Sequence, residues 1–466
     1  MSLEIETINP YTEEVICKYT VVTTQELDSK IKKAHKAFGE WRKNINSRTD
    51  YFHKFAQQLR KYKENLAMTA TNEMGKVIKE SRSEVEKCAW AIEYFADNGA
   101  SFMQDEITNT DARKTYIKFN PIGVIASIMP WNFPYWQAIR FAAPSLIAGN
   151  ATVLKPASAT IQCGIELENA ANRTGLPDGV FQSIVGNSGI VNDLIKSQYI
   201  SAVTFTGSVK VGSLIASQAT SQIKKCVLEL GGSDPFIVCK DADIEKAANG
   251  AVKGRFINCG QSCIASKRII IVDDIKDEFL EKFVSNTEKL KVGNPTSEES
   301  DLGPMVNVSA LEKIDSQVKG ALKEGAELVV GGERIDKNKG YFYQPTIIKN
   351  VTPNMHIAQE EVFGPVAPIM TVKDEKEAIK IANDSEYGLG ASIWTKDLDT
   401  AEKLAENIET GIVSVNNVVA SDPRVPFGGV KKSGFGRELS RFGMLEFVNI
   451  KSVRLYDQLY TQHHVE

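Results

Sequence analysis

Residues 123–129 read Gly-Val-Ile-Ala-Ser-Ile-Met, a short apolar run that begins at a glycine and is followed by Pro130, as a buried strand would be. Similar runs recur beyond it with helical stretches between them: Ala151–Leu154, Ala202–Phe205, Cys226–Leu230, Pro235–Val238 and Arg268–Val272. Strands that alternate with helices predict a parallel α/β architecture. Later runs predict a second α/β unit of similar size: Leu328–Val330, Val366–Val372, Ala391–Trp394 and Ile412–Asn416.

The first hundred residues show a helical pattern instead. Thr23 and Glu26 have the spacing of a capping box. The apolar residues that follow recur at steps of three and four, the period of one buried helical face: Leu27, Ile31, Ala34, Phe38 and Trp41.

Length and composition place the chain among globular proteins. It has 466 residues, of which 42% are hydrophobic and 24% charged, which is enough for two or three domains. Its 55 Lys and Arg residues against 59 Asp and Glu residues give a net charge of −4. No general attraction to nucleic acid or to an anionic membrane is therefore expected, and an anionic ligand must be bound by local residues.

The start of the chain and its cysteines bear on the cellular compartment. The first residues carry two early acids and no basic region before an apolar core, unlike a secretory signal. The apolar runs are shorter than the roughly 20 residues that span a bilayer. Seven scattered cysteines without a CxxC pair, and histidines that lie far from them in sequence, are typical of a reducing compartment and of no metal site. We expect a cytoplasmic protein without a metal.

One cysteine lies where a thiol can face a cleft. Gly260–Cys263 reads GQSC, a glycine-containing turn between a helical segment and the strand at Arg268–Val272. A thiolate in such a turn can attack an electrophile. The alternative is a buried structural cysteine, which is what most cysteines are.

Two further stretches carry chemistry. Leu228–Gly232 reads LELGG and places Glu229 in an apolar strand, where an unpaired carboxylate is costly, so a general base is expected; a solvent-facing or salt-bridged acid is the alternative. Pro130–Pro134 reads PWNFP, a turn made rigid by two prolines, in which the amide of Asn132 can donate to a developing oxyanion. A loop held by aromatic packing is the alternative there.

Together these stretches resemble the aldehyde dehydrogenase superfamily, and the resemblance covers nearly the whole chain. The matching motifs follow the family's order: Asn9-Pro10, PWNFP, LKPA at Leu154–Ala157, FTGS at Phe205–Ser208, LELGG, GQSC, EEVFGP at Glu360–Pro365 and PFGGVKKSGFGRE at Pro426–Glu438. Within the superfamily the chain is most similar to the bacterial succinate-semialdehyde dehydrogenases.

The resemblance implies an α/β fold in three parts. A five-stranded Rossmann-like cofactor domain would comprise residues 1–104 and 121–232, and an α/β catalytic domain residues 233–438. A small β oligomerisation extension would comprise residues 105–120 and 439–466. Because its sheet edges would be exposed, a homodimer or homotetramer is expected.

The resemblance also implies oxidation of an aldehyde with a nicotinamide cofactor. Cys263 would be the nucleophile that forms a thiohemiacetal, whose oxyanion would be held by Asn132 and by the backbone N–H of Cys263. Glu229 would activate the water that hydrolyses the thioester to a free acid. The chemistry agrees, because an aldehyde must become tetrahedral before it can donate hydride. Cys259 is expected to be structural, with redox protection of Cys263 as the alternative.

The cofactor residues follow from the same resemblance. They are Trp131, Lys155, Ser158, Gly207, Ser208, Gly212, Leu230, Gly231, Glu361 and Phe363. Lys155 matches the lysine that binds the adenosine ribose, and Ser158 stands where NAD-preferring members usually carry a glutamate. A neutral hydroxyl does not repel a 2′-phosphate, so NADP is expected, with NAD as the alternative. Without the other motifs, structural turns would explain the glycines and a solvated acidic pair would explain Glu361.

The substrate is expected to be succinic semialdehyde. Arg140, six residues beyond the PWNFP turn, matches the arginine that reaches the substrate carboxylate in succinate-semialdehyde dehydrogenases; the alternative is a structural ion pair. The family's second carboxylate-binding arginine is not reproduced, since Ile257 precedes Asn258, with Arg255 two residues earlier. Ser421 would supply a replacement hydrogen bond. A small neutral aldehyde such as glyceraldehyde or lactaldehyde is the alternative substrate.

Two other classes of function are disfavoured. A cysteine hydrolase would need a histidine base, and no histidine lies near the motifs. A binding protein that merely retained the fold would be expected to have lost Cys263, Glu229 or Asn132, and all three are present.

Overall fold

The computed structural model describes residues 3–336 and 339–457, which form an α/β protein, as predicted. The N-terminal region comprises β1 (Glu4–Ile8), β2 (Val15–Thr20), α1 (Thr24–Trp41), α2 (Ile45–Lys61), α3 (Lys63–Met74) and α4 (Ile78–Phe102). The next region comprises β3 (Glu106–Thr108), β4 (Lys114–Pro121), β5 (Val124–Ile128), α5 (Pro134–Ala148), β6 (Ala151–Lys155), α6 (Ile161–Asn172), β7 (Phe181–Ser183), α7 (Ser188–Lys196), β8 (Ile200–Thr206), α8 (Val209–Ser221) and β9 (Lys225–Glu229).

The second half of the chain repeats the alternation of strand and helix. It comprises β10 (Asp234–Val238), α9 (Ile244–Phe256), β11 (Ser266–Val272), α10 (Lys276–Glu288), α11 (Val308–Lys323), β12 (Glu327–Val330), β13 (Thr346–Lys349), α12 (His356–Gln359), β14 (Val366–Val372), α13 (Glu375–Asn383), β15 (Tyr387–Gly388), β16 (Gly390–Trp394), α14 (Leu398–Glu406) and β17 (Ile412–Val415). The C-terminal part comprises β18 (Val430–Lys431), β19 (Gly434–Phe435), α15 (Ser440–Leu445) and β20 (Val448–Leu455).

The first sheet has the strand order β19-β9-β8-β5-β6-β7. Its strands from β9 to β7 pair in parallel, and every residue of β5 is buried, as expected for a sheet covered on both faces. These are the five strands that the resemblance implies. The two-residue strand β19 adds to them by pairing antiparallel with β9. The C-terminal motif PFGGVKKSGFGRE thereby reaches the first sheet, although the sequence assigns these residues to the catalytic domain.

A second large sheet, a small third one and the two-stranded sheets β1-β2 and β15-β18 make up the rest of the strand structure in the described residues. The second has the order β12-β13-β14-β11-β10-β16-β17 and is parallel except for the pair of β12 with β13. The third is antiparallel, with the order β20-β4-β3, and lies in the segments that the sequence assigns to the extension. The tail of that predicted extension, 458–466, lies outside the described residues.

Helix α1 begins with the predicted capping box. The Oγ1 of Thr23 accepts from the backbone N–H of Glu26 at 3.2 Å, and the Glu26 carboxylate accepts from the backbone N–H of Thr23 at 2.8 Å. The buried residues of the helix are those that its sequence period predicts, from Leu27 to Trp41. A cap of this kind stabilises a helix by about 1 kcal/mol.

Helix α5 brings side chains into the middle of the molecule. Every residue from Pro134 to Ala148 is buried, and the helix ends at Gly149 in a left-handed conformation. The polar side chains on this helix therefore face protein or an internal cavity. Among the described residues, no helix combines the length and apolarity needed to cross a bilayer, and no three His, Cys, Asp or Glu side chains group to hold a metal ion.

Candidate active site

The turn that precedes Cys263 has an uncommon backbone conformation. Between α9 and β11, residues Asn258, Cys259 and Gly260 have positive φ angles of 50°, 54° and 70°. A Cβ on Gly260 would lie 2.2 Å from the carbonyl oxygen of Gly364, so only glycine fits there. A residue other than glycine in the left-handed conformation lowers the stability of the fold by on the order of 1 kcal/mol. Neighbouring contacts must therefore hold Asn258 and Cys259 in this turn.

Arg255 provides those contacts. It is fully buried at the end of α9, and one terminal nitrogen of its guanidinium donates to the carbonyls of Gly260 (2.9 Å), Val362 (3.2 Å) and Gly364 (2.6 Å). Burial lowers the pKa of Arg255 to about 10. Because its guanidinium is bound to backbone and is absent from the cavity lining, Arg255 does not replace the family's second substrate arginine.

Cys263 is half-buried and lines a cavity of about 550 Å³. Burial raises the pKa of its thiol to about 11, whereas the positive charges of Arg140 and Lys267 act to lower it. The carbonyl of Cys263 accepts from the Nζ of Lys267 at 2.5 Å. Its backbone N–H has no hydrogen-bond partner in the part of the chain that the structure describes, so this N–H is free to donate to a ligand.

Cys259 lies apart from Cys263. Its side chain is buried in the core of the second sheet, with its sulfur 3.9 Å from the sulfur of Met305, whereas Cys263 packs against the core that contains α5. The two side chains therefore pack in different cores. This placement favours the structural interpretation of Cys259.

Asn132 belongs to the PWNFP turn after β5 and is 3% exposed. Its side-chain amide donates to the carbonyl of Gln261 at 3.1 Å, in the same turn as Cys263. The backbone carbonyl of Asn132 accepts from the Nδ2 of Asn258 at 2.8 Å and from the Nζ of Lys76 at 3.4 Å. These bonds fix Asn132 beside the cysteine turn and leave one amide hydrogen without a partner in the described chain.

Glu229 ends β9 and is 2% exposed. Neither of its carboxylate oxygens has a hydrogen-bond partner among the described residues. Burial, and then repulsion by Glu438, raises the pKa of Glu229 well above its usual range, while Arg140 and Arg437 oppose the rise. The predicted alternative of a solvent-facing acid is therefore excluded. Glu229 is a buried carboxyl that holds its proton tightly, and it is not among the residues that line the cavity.

Arg140 lines the same cavity as Cys263 but already has an anionic partner. Its Nε donates to the carboxylate of Glu438, and one terminal nitrogen lies 3.5 Å from the Oγ1 of Thr206. Its guanidinium lies over the ring of Phe427, 4.2 Å from the ring centre. The structural ion pair that the sequence leaves open as the alternative role of Arg140 is present. It uses the Nε of the guanidinium.

The cavity wall is largely apolar, with a few polar side chains. The apolar part includes Phe133, Trp136, Val252, Phe256, Ile264 and Val419. The predicted residue Ser421 lines it as well, and its Oγ accepts from the Nζ of Lys87 at 2.8 Å. A thiol, hydroxyls, cationic side chains and the carboxylates of Glu80, Glu84 and Asp301 therefore share one chamber suited to a small organic molecule.

Lys155 is the last residue of β6, and Ser158 lies three positions later in the turn that follows. The ammonium of Lys155 is buried, which lowers its pKa, and it has no hydrogen bond or ion pair in the described parts of the chain. Ser158 is exposed in the turn that follows. A buried cation without a partner among the described residues, three positions before an exposed hydroxyl, suits the ribose and the 2′-phosphate of NADP.

The N-terminus of α8 suits a phosphate. Ser208 is the N-cap of this helix. A Cβ on Gly207 would lie 2.4 Å from the ring of Phe205, and one on Gly212 would lie 2.4 Å from the Cδ2 of Leu230. The glycines therefore let α8 pack closely on the sheet and leave its free backbone N–H groups open to an anion.

The predicted nicotinamide residues lie near one another. The rings of Trp131 and Phe363 contact edge to face, with centres 5.8 Å apart. Glu361 accepts from the backbone N–H of Gly232 at 3.1 Å, and a Cβ on Gly231 would lie 2.5 Å from its other oxygen. Glu361 is therefore not a solvated acid but packs on the LELGG turn.

Lys267 joins the two halves of the site. Its ammonium, completely buried, lies 3.3 Å from the Glu361 carboxylate and donates to the carbonyl of Cys263. Sequence reasoning did not identify Lys267, Glu438 or Lys87. The first two lie inside or next to quoted motifs, where an ionisable residue is a signal; nothing near Lys87 in sequence points to the site.

Comparison with known proteins gives a consistent result. The model of the "Aldehyde dehydrogenase family" matches residues 2–453. A "Probable succinate-semialdehyde dehydrogenase [NADP(+)]" of Synechocystis sp. is 42% identical over 452 residues, which are 97% of this chain and 99% of that protein. The "Succinate semialdehyde dehydrogenase [NAD(P)+] Sad" of Escherichia coli is 43% identical over 447 residues, 96% of each chain.

Solved structures agree with the sequence relatives. The succinic semialdehyde dehydrogenase of Streptococcus pyogenes, in complex with NADP⁺, superposes with a TM-score of 0.95 at 38% identity, covering 97% of this chain and 100% of that one. An NAD-dependent aldehyde dehydrogenase of Sinorhizobium meliloti superposes with a TM-score of 0.96 at 34% identity, covering 99% of this chain and 93% of that one.

Proposed function

The chain belongs to the aldehyde dehydrogenase family and is an NAD(P)-dependent oxidoreductase, and from that premise we propose that it oxidises succinic semialdehyde to succinate with NADP. The observation that carries the proposal is the cavity in which the thiol of Cys263 shares an apolar chamber with cationic side chains. Relatives that align over nearly their full length carry this activity in their names.

The chain's own residues perform the covalent steps. The sulfur of Cys263 loses its proton and forms a bond to the aldehyde carbon, whose oxygen takes up the negative charge. The amide of Asn132 and the backbone N–H of Cys263 donate to that oxygen. When bound, NADP⁺ would supply the hydride acceptor, and loss of hydride from the thiohemiacetal would leave a thioester on Cys263. Because Glu229 holds its proton tightly, it must first release that proton; the carboxylate then accepts a proton from the water that attacks the thioester, and the thiolate leaves.

The cofactor residues follow from the same proposal. Lys155 and Ser158 bind the adenosine ribose and its 2′-phosphate, and Gly207, Ser208 and Gly212 admit the pyrophosphate at the start of α8. Leu230, Gly231, Glu361, Trp131 and Phe363 hold the nicotinamide half. Support comes from the unpaired ammonium of Lys155, which a phosphate would neutralise.

Ser158→Glu tests the cofactor assignment. A carboxylate there repels the 2′-phosphate, and because Ser158 is exposed we allow for solvent screening and expect the KM for NADP to rise about tenfold or more. The KM for NAD should change little. A wild-type enzyme that prefers NAD would contradict the assignment.

Initial rates on matched aldehydes test the substrate. Succinic semialdehyde should give a higher kcat/KM than butanal, which has the same chain without the carboxylate. Because Arg140 is already paired with Glu438, a neutral aldehyde is the second candidate substrate. Glyceraldehyde and lactaldehyde therefore belong in the same series. If neutral aldehydes are oxidised as efficiently, the assignment to succinic semialdehyde is wrong.

The assembly is a homodimer or homotetramer, and the compartment is the cytoplasm. Support for the assembly comes from the exposed three-stranded sheet, in which Ile107 and Ile450 are 68% and 59% exposed. Support for the compartment comes from the seven cysteines, none of which is paired.

A further inference from the structure

Five residues of α4 line the cavity, and they include the acids Glu80 and Glu84. The other three recur at steps of four: Lys79, Ser83 and Lys87. Residues four apart lie on one side of a helix, so this face of α4 forms a continuous part of the wall. The ammonium of Lys87 donates to the Oγ of Ser421 at 2.8 Å and lies 4.4 Å from the centre of the Trp136 ring. These two contacts fix the position of the Lys87 ammonium in the cavity wall.

Four cations line the cavity: Lys79, Lys87, Arg140 and Lys253. Lys253 is exposed to solvent, whereas Lys87 is half-buried and no carboxylate of the described residues neutralises it. Lys79 pairs with Asp301 at 2.6 Å, and Arg140 pairs with Glu438. Among the described residues, Lys87 has no carboxylate within ion-pairing distance.

The two acids whose charges act on Lys87 are themselves paired. Glu84 pairs with the buried Lys76, and Asp422 pairs with Arg424 at 2.6 Å. Burial, followed by the charge of Arg140, lowers the pKa of Lys87 to about 8. An ammonium in an apolar chamber without a counter-ion loses its proton more easily, and an anion that joins it stabilises the charged form.

We propose that Lys87 binds the carboxylate of the substrate beside Ser421, which the resemblance already implies as a substrate residue, because Arg140, being paired with Glu438, does not fill this role alone. The inference rests on the proposed function. Because the hydroxyl oxygen of Ser421 already accepts from Lys87, its O–H is free to donate to a carboxylate oxygen. The ammonium keeps two further N–H groups for the same carboxylate. An ω-carboxylate held there leaves the aldehyde end in the chamber that Cys263 lines.

The test compares Lys87→Met with Lys79→Met, its matched control on the same face of α4. Methionine keeps the length and packing of the side chain against Trp136 and removes the charge. In Lys87→Met we expect the KM for succinic semialdehyde to rise about 10- to 100-fold, as for a lost hydrogen bond to a charged group, with a smaller change in kcat. The ratio of kcat/KM for succinic semialdehyde to that for butanal should fall by the same factor. In Lys79→Met this ratio should stay near its wild-type value.

A conservative variant and a second site complete the test. Lys87→Arg should restore part of the ratio, and Ser421→Ala should raise the KM for succinic semialdehyde severalfold while the KM for butanal changes less. Ser421→Ala also decides the matter should Lys87→Met fail to fold. A wild-type enzyme without preference for the acid overturns both the substrate proposal and this one. If the wild type prefers succinic semialdehyde to butanal and Lys87→Met keeps that preference, only the role of Lys87 and Ser421 is overturned. If Lys87→Met does not fold, the same conclusion follows when Ser421→Ala keeps the preference.

Discussion

At the scale of single residues, the reactive thiol is hard to ionise. With a pKa of about 11, about one Cys263 side chain in 10⁴ is a thiolate at pH 7. The nearby positive charges of Arg140 and Lys267 offset burial only in part. We therefore expect the rate of alkylation of Cys263 by iodoacetamide to rise about tenfold per pH unit from pH 7 to pH 10.

Replacing each cysteine separately tests which thiol reacts. Cys263→Ala should abolish aldehyde oxidation and leave NADP binding intact, measured by initial rates and by fluorescence titration. Cys259→Ala should keep substantial activity, because its side chain packs in another core. An equal loss of activity in both variants would contradict the assignment of Cys263.

Because the carboxyl of Glu229 is buried, we expect it to lower the stability of the fold at high pH while it serves activity. Burial raises its pKa above the usual 4.5, so the folded protein binds its proton more tightly than the unfolded chain does. The stability that Glu229 contributes is complete below pH 4.5 and is lost as the pH rises towards its folded pKa. Glu229→Gln removes this loss, so we expect the Tm of the variant to exceed that of the wild type at pH 8 and to differ less at pH 5.

The same variant should lose turnover. Without a base for thioester hydrolysis, Glu229→Gln should show a burst of NADPH followed by a slow steady state, observable by stopped-flow absorbance. An unchanged steady-state rate would show that Glu229 does not serve hydrolysis.

At the scale of elements, the regular parts of the fold were predictable and the site turn was not. The apolar period of α1 and the runs that became β5, β8 and β11 depend on burial patterns that a local window contains. The left-handed residues before Cys263 depend on Arg255 and Gly364, which no local pattern shows. The sequence did not identify Lys87 for the same reason: tertiary packing of α4 decides which of its faces lines the cavity, and no local pattern shows that.

Substitution of Gly260 tests the importance of that turn. In Gly260→Ala the new Cβ would collide with the carbonyl of Gly364 at a positive φ, so the turn must move and displace the thiol. We expect a lower Tm and a kcat reduced by about tenfold or more, since small misplacements at a reacting centre are costly.

A second glycine provides the control for this prediction. Gly320 lies in α11, and a methyl group added to it would meet no atom within 4 Å. Gly320→Ala should therefore raise stability by about 0.5–1 kcal/mol and leave activity unchanged. If Gly260→Ala behaves like Gly320→Ala, the turn does not constrain the thiol.

At the scale of the whole molecule, the exposed antiparallel sheet predicts association. Its outer strands β3 and β20 carry exposed apolar side chains and unpaired edges, which a second copy of the chain would cover. Light scattering after size exclusion should give at least twice the chain mass of 51.4 kDa. A stable and active monomer would contradict this prediction.

The contact of Arg255 with three carbonyls has a dynamic consequence for the molecule. It joins the segment 257–263, which carries the thiol, to the segment 361–365, which carries Glu361 and Phe363. Neither segment can open without breaking bonds to the same guanidinium, so the two form one cooperative unit of local unfolding. Their backbone amides should exchange with deuterium at a common rate, and a ligand that closes one segment should slow exchange in both.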